Sequence, residues 1–139
     1  MSGPRRKILF GMADWPGTAK LVRELSELNW DVIRVERAAR IVEAASREPP
    51  RVIIIDAGIQ GGGAAVPLAA MANHPALGIV PKIVIDRDEE DQSQQWLERG
   101  ASLCLPRDVS VTRVLKEAEQ LLGAERKEKP KPVLRMMGE

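Results

Sequence analysis

The sequence contains few of the residues that build disulfide frameworks and metal clusters. Its 139 residues include one cysteine, Cys104, and one histidine, His74. A single cysteine forms no disulfide within the chain, and a single histidine excludes histidine-rich metal sites and mechanisms that need two imidazoles. Cys104 stands between two leucines, so we expect it to be a core residue. We expect His74, which precedes a proline in a turn, to be solvated and not to act as a base.

Aromatic residues and long apolar runs are also scarce. Aromatic residues make up 3% of the chain, and Trp15, Trp30 and Trp96 are widely spaced, which argues against a stacking surface for nucleic acid. No apolar run approaches the roughly 20 residues that span a bilayer. The formal net charge is +1, so no whole-molecule field favours nucleic acid or a membrane. We recognise no signal peptide in the sequence, so we expect a cytoplasmic protein. We also expect it to contact neither nucleic acid nor a membrane directly.

The chain does contain a strongly apolar segment that ends in a carboxylate. Residues 52–56 read Val-Ile-Ile-Ile-Asp and show no alternation of polar and apolar positions. This pattern predicts a strand of a parallel sheet that is buried on both faces. Chemistry in open parallel sheets lies at the carboxyl ends of the strands, where Asp56 would stand. The alternative is that Asp56 only begins a turn.

Strands and helices alternate along the rest of the sequence. We predict further strands at 7–12, 32–35, 82–86 and 102–105, and helices after Thr18, at 38–47, 64–73 and 87–99, and after a cap at Asp108 or Ser110. The less uniform strand 32–35 is expected near an edge of the sheet. Right-handed crossovers then give a flavodoxin-like (βα)5 doubly wound α/β sandwich with five parallel strands in the order 2-1-3-4-5. We assign residues 1–124 to this domain and residues 125–139 to a flexible charged tail, and we expect the chain from Arg126 onward to be extended or disordered.

Three segments of the chain resemble the response-regulator receiver domain of two-component signalling, over about Lys7 to Gly123. They are the alanine-bearing helix, proline turn and strand of 38–56, the stretch 74–85, and Glu98-Arg99-Gly100-Ala101. The resemblance implies a phosphorelay signalling module and not an enzyme. It also implies that Asp56 is the phospho-acceptor, and that the partner is a histidine kinase or a downstream signalling protein, with a homodimer as a further expectation.

The sequence departs from the receiver pattern at the partners of that aspartate. Met12 and Ala13 stand where the family has an acidic pair that holds Mg²⁺, and Asp14 follows one step later. Asp86 takes the place of a Ser or Thr, and Arg107 takes the place of a Lys. The resemblance therefore implies a pocket of Asp14, Asp56, Asp86 and Arg107, in which Asp14 and Asp56 are the candidate ligands of a Mg²⁺ ion.

The departures bear on phosphorylation through charge. An ionised Asp86 donates no hydrogen bond and would repel a phosphoryl dianion. Two like charges about 4 Å apart cost on the order of 4 kcal/mol at an effective dielectric constant near 20. This predicts a degenerate pseudo-receiver that signals by binding. The alternatives are a receiver phosphorylated in a rearranged pocket, and a small-molecule or nucleotide-binding protein that uses the glycine-rich loop 58–63.

Overall fold

The computed structural model describes residues 6–11, 16–86, 90–106 and 110–128 as five strands that alternate with five helices. The strands are β1 (Arg6–Gly11), β2 (Trp30–Val35), β3 (Val52–Asp56), β4 (Lys82–Asp86) and β5 (Leu103–Pro106). The helices are α1 (Pro16–Glu27), α2 (Ala38–Arg47), α3 (Ala65–Ala72), α4 (Glu90–Glu98) and α5 (Val111–Glu128). Every strand pair is parallel, and the order is β2-β1-β3-β4-β5. The predicted fold class, its strand order and the edge position of β2 are confirmed.

Strand β3 lies at the centre of the sheet and is buried along its whole length. Its side chains alternate between two hydrophobic clusters. Val52 and Ile54 pack with residues of α1 and α5 on one face, and Ile53 and Ile55 pack with residues of α2 and α3 on the other. The uniform apolar run follows from this position, because a central strand covered on both faces has no solvent-facing side.

Several element boundaries differ from the sequence-based expectation. β2 begins at Trp30, two residues early, because this tryptophan is 2% exposed and pairs with Arg6 across the sheet. Asn29, with φ 71°, makes the left-handed turn that precedes it. β1 is described only to Gly11. Helix α3 is one residue shorter than predicted at each end, α4 ends one residue early, at Glu98, and β5 is displaced by one residue.

Helix α5 ends later than the sequence suggested. We expected an extended chain from Arg126 onward, yet 126–128 are helical. The sequence from Ala124 to Glu128 consists of good helix formers, and the first helix breaker is Pro130. That expectation is therefore corrected for these three residues. Residues 129–139 lie outside the described ranges, and the division of the chain at residue 124 stays a prediction.

Candidate functional site

Asp56 is the last residue of β3 and is 2% exposed. The backbone N–H of Gly58 donates to its Oδ1 at 3.1 Å, and the N–H of Ile59 donates to its backbone carbonyl at 3.0 Å. These bonds form a tight turn directly after the strand. Both readings of Asp56 from the sequence thus agree with its position, since the residue ends a central strand and also shapes the turn that follows.

Asp86, the last residue of β4, lies one register position beyond Asp56 along the sheet. Asp56 pairs with Ile85, so side chains at these two positions share a face, and Asp86 belongs to the opposite face. There the indole Nε1 of Trp96, on α4, donates to Asp86 Oδ2 at 2.7 Å. This is a short hydrogen bond to a carboxylate, a strong kind of contact. At the position where the receiver pattern has a Ser or Thr, this chain thus has a hydrogen-bond acceptor, Asp86, that binds a residue of α4.

The hydrogen bond between Trp96 and Asp86 was not foreseen from the sequence. From the sequence, Trp96 was considered only as one of three widely spaced tryptophans. In the structure it also packs against the cluster that α2 and α3 cover. Its ring centroid also lies 5.8 Å from the guanidinium carbon of Arg99. A spacing of ten residues across a strand–helix connection, with a carboxylate at one end and an indole at the other, is the only sequence signal for this bond.

Two of the predicted pocket residues, Asp14 and Arg107, lie outside the described residues, so the four-residue pocket stays a prediction. Within the described ranges, no group of three or more His, Cys, Asp or Glu side chains is placed to hold a metal ion. At the relevant edge these ranges contribute the carboxylates of Asp56 and Asp86, which belong to opposite faces, while β1 ends in Gly11. Mg²⁺ requires near-octahedral oxygen ligation. The described donors by themselves therefore do not fit a Mg²⁺ site.

Several amides of the glycine-rich loop after Asp56 donate to acceptors within the loop and its flanking residues. The N–H of Gly63 donates to the carbonyl of Ile59 at 2.9 Å, and the N–H of Ala64 donates to the carbonyl of Ala57 at 3.1 Å. Gly63 has φ +78°, and a Cβ there would lie 2.8 Å from the carbonyl oxygen of Ala57. Glycine is thus needed for chain geometry. These bonds argue against an anion nest, because a nest presents its N–H groups to a ligand.

His74 has a structural environment of its own. Its Nδ1 accepts hydrogen bonds from the backbone N–H groups of Ala76 and Leu77, at 3.1 and 3.2 Å. These bonds assign the proton to Nε2, which donates to Ser46 Oγ at 3.3 Å. A base would have to accept a proton at that nitrogen, so the Ser46–His74 pair is not a nucleophile–base pair. The imidazole instead organises the turn after α3 and links it to α2.

Lys82, at the amino end of β4, is a buried cation that the sequence analysis did not single out. It is 4% exposed, and its Nζ donates to the carbonyls of Leu77 and Val80, both at 2.7 Å, and of Gly78 at 3.4 Å. Burial lowers the pKa of Lys82 below its ordinary value of 10.5. The residue closes the loop between α3 and β4, at the sheet edge opposite Asp56.

No helix of the described residues combines the length and the apolar character that crossing a bilayer requires. No protein-family model and no curated protein sequence matches the chain.

Solved structures do match the chain, and they are receiver domains. The chain is similar to the BeF3-activated N-terminal receiver domain of Klebsiella pneumoniae RstA, with 22% identity and a TM-score of 0.74, over 84% of this chain and 98% of that one. It is similar to the receiver domain of Francisella response regulator 1452, with 15% identity and a TM-score of 0.78, over 86% and 98% of the two chains.

A third similar structure is the receiver domain of the sensor histidine kinase PA1611 from Pseudomonas aeruginosa, which has a magnesium ion coordinated in its active-site cleft. The identity is 15% and the TM-score is 0.78, over 86% of this chain and 99% of that one. The chain therefore has the fold of a response-regulator receiver domain, as its sequence predicted.

Proposed function

We propose that this chain is a receiver-like module of a phosphorelay that signals by protein–protein contact, with impaired or absent Mg²⁺-dependent phosphorylation at Asp56. Its partner would be a histidine kinase or a downstream signalling protein in the cytoplasm. The observation that carries the proposal is the Trp96–Asp86 hydrogen bond. At the position where the receiver pattern has a hydroxyl donor, this chain has a carboxylate that already accepts a bond from α4.

The electrostatic argument concerns the cost of a second negative group at this edge of the sheet. A phosphoryl group on Asp56 would add a dianion at a position that is 2% exposed. Burying such charge is costly without a compensating cation and hydrogen-bond donors. Among the described residues, Asp86 is a hydrogen-bond acceptor, and β1 supplies no carboxylate to hold a metal ion. Compensation would therefore fall to Arg107 and to a Mg²⁺ ion held by Asp14, as the sequence predicts.

A second candidate function is a receiver that is phosphorylated in a rearranged pocket. The observation in its favour is the orientation of Asp86. Because Asp86 belongs to the face opposite Asp56 and is bound by Trp96, it repels a group on Asp56 less than the sequence alone suggested. Among the similar structures, the receiver domain from K. pneumoniae is BeF3-activated, and that from P. aeruginosa has a magnesium ion coordinated in its active-site cleft.

Phosphorylation with acetyl phosphate separates the two candidates. Wild type and Asp56→Ala are incubated with acetyl phosphate and MgCl2, and the intact mass of each is measured. We expect no phosphoryl adduct on either protein. An adduct on wild type that Asp56→Ala lacks would refute the impaired pocket and establish the second candidate.

A gain-of-function variant serves as the positive control. Met12→Asp, Ala13→Asp, Asp86→Thr and Arg107→Lys together restore the receiver pattern at the positions where this sequence departs from it. We expect this variant to acquire an adduct in the presence of Mg²⁺ and to lose it when Asp56→Ala is added. Circular dichroism of each variant verifies that the fold is retained.

A further inference from the structure

A groove with an unusual concentration of arginine lies between the edge strand β2 and helix α2. Its volume is about 430 Å³. The charged residues that line it are Arg34, Arg37, Arg40, Arg47, Glu36 and Glu43. These four arginines and two glutamates give the lining a net charge of +2, whereas the whole chain has +1. The positive charge is therefore local to this surface.

Helical spacing places the basic residues on one flank of α2. Arg37 immediately precedes the helix. Arg40 follows three residues after Arg37, and Arg47 follows seven residues after Arg40. Such intervals bring side chains to one side of a helix. Ile41 and Ala45 are buried on the side that faces the core. The arginines therefore form an exposed row along the groove.

Part of this positive charge is neutralised within the groove. Glu43 lies 3.2 Å from the guanidinium of Arg47 and 4.0 Å from that of Arg40. These side chains are between 53% and 74% exposed, so the pairs contribute little to stability and can exchange partners. Arg37 makes no ion pair among the described residues. Its guanidinium is therefore available to a ligand.

The groove also borders the edge strand of the sheet. β2 is the edge of the sheet and, among the described residues, pairs only with β1. An edge strand presents backbone N–H and C=O groups to an added strand, and proteins recognise extended peptides in this way. Backbone groups along β2 and guanidinium groups along α2 are thus side by side.

We propose that this groove binds an extended, acidic peptide segment of a partner protein. The segment would pair with the outer edge of β2, and its carboxylates would accept hydrogen bonds from Arg37, Arg40 and Arg47. The groove lining includes neither Asp56 nor Asp86, so the proposal does not depend on whether Asp56 is phosphorylated.

Charge and composition favour a peptide over the other occupants. Glu36 and Glu43 interrupt the row of arginines and would repel a continuous phosphate backbone, and the lining has no aromatic ring on which bases could stack. The chain's own last residues carry Lys129, Lys131 and Arg135 against the single acid Glu139, so they do not complement the groove.

The test uses a fluorescein-labelled peptide of alternating glutamate and valine, titrated with the full-length protein at low ionic strength and followed by fluorescence anisotropy. We expect saturable binding that weakens as salt is added. Arg37→Glu with Arg40→Glu should weaken it by about tenfold or more, because attraction becomes repulsion. The substitution at Arg40 places an acid near the amino end of α2, where it suits the helix dipole.

Matched controls distinguish the groove from general charge attraction. Arg23→Glu with Arg51→Glu makes the same change in charge at exposed positions elsewhere, and should leave the affinity within about twofold of wild type. Arg37→Gln with Arg40→Gln, which adds no repulsion, should give an intermediate loss. A peptide with N-methylated backbone at alternate residues keeps its charges but cannot pair with a strand, and should bind more weakly.

Each contrary result is decisive. Equal losses in the groove variant and in the control pair would overturn the proposal, and so would the absence of binding by wild type. Tighter binding of oligothymidylate than of the peptide, lost in the same groove variant, would replace the peptide with nucleic acid. Unchanged binding of the N-methylated peptide would overturn pairing with β2.

Discussion

Strand β4 carries an ionisable residue at each end, and the two residues are held by different kinds of partner. At the amino end, Lys82 is 4% exposed and donates to three backbone carbonyls of the preceding loop. At the carboxyl end, Asp86 is half-buried, and its carboxylate accepts a hydrogen bond from the indole of Trp96, on α4. Backbone partners are fixed by the chain trace, whereas a side-chain partner can change rotamer. We therefore expect the loss of the interactions at the amino end to cost more stability than the loss of the Trp96 bond at the carboxyl end.

The most severe test of this comparison is Lys82→Met. Methionine fills a similar volume but leaves the carbonyl of Val80 without its buried donor, whereas the carbonyl of Leu77 still accepts the N–H of Val80 at 3.2 Å. An unsatisfied buried group costs about 1–3 kcal/mol, so we expect the free energy of unfolding to fall by about 3 kcal/mol. Urea denaturation measures this change. Lys7→Met, which removes a half-exposed pair with Glu48 at the same end of the sheet, should cost less than about 1 kcal/mol. Equal losses of the free energy of unfolding in Lys82→Met and Lys7→Met would show that the buried lysine contributes no more than the exposed one.

At the other end of the strand, Trp96→Phe removes the indole donor to Asp86 while keeping an aromatic ring. We expect a loss of about 1.5 kcal/mol, as for a hydrogen bond to a charged group that is partly exposed. The measurement is a double-mutant cycle by urea denaturation, with Asp86→Ala as the second substitution. If the bond accounts for the loss, Trp96→Phe should cost little when Asp86 is already alanine. The same loss in both backgrounds would show that packing, and not the bond, is responsible.

A smaller effect is expected at the start of α5. Ser110 Oγ accepts the backbone N–H of Arg113 at 3.1 Å, which is the bond of a helix N-cap. Ser110→Ala should reduce stability by about 1 kcal/mol, and Ser110→Asp should retain most of it. Thermal unfolding followed by circular dichroism measures both variants. Ser26→Ala, within α1, is the matched control and should be neutral or slightly stabilising, because alanine is the better helix former.

The smallest expected change concerns how stability varies with pH. The pKa of Lys82 in the folded chain lies below 10.5, so between that pKa and 10.5 the unfolded chain holds more protons. Stability should therefore rise with pH in this window for wild type relative to Lys82→Met. Urea denaturation of both proteins at a series of alkaline pH values gives the difference. If the difference in the free energy of unfolding between wild type and Lys82→Met stayed constant or became smaller as the pH rises, the burial of this cation would be contradicted.

The architecture could be predicted from the sequence because it depends on local patterns. The apolar run of β3, the stripes of the helices and Pro49-Pro50 after α2 are all local signals, and they determine the strand order through crossover handedness. Ser110 was likewise one of the two predicted caps, and the structure assigns it that role.

The interactions at the ends of β4 could not be predicted in the same way. The carbonyls that accept from Lys82 come from a loop that has no sequence signature, and their direction is set by how the chain turns at 77–80. The resemblance placed Asp86 in a pocket with Arg107, and that pocket stays a prediction because Arg107 lies outside the described residues. What the sequence did not reveal is that the alternation of side chains along β4 brings Asp86 to Trp96. Predicting that direction requires the register of the sheet, which follows only after the strands have been aligned.

The loop that follows Asp56 begins and ends at neighbouring points of the backbone, because Ala64 donates to the carbonyl of Ala57. Gly61 and Gly62 are exposed at its tip, and the contact between Gln60 and Ala38 precedes them. An insertion between these glycines would therefore lengthen a loop whose two ends are held together, without moving β3 or α3. Each doubling of the loop length costs only about 0.6 kcal/mol in closure entropy. This tip is accordingly the place where a reporter peptide or an affinity tag can be grafted into the chain.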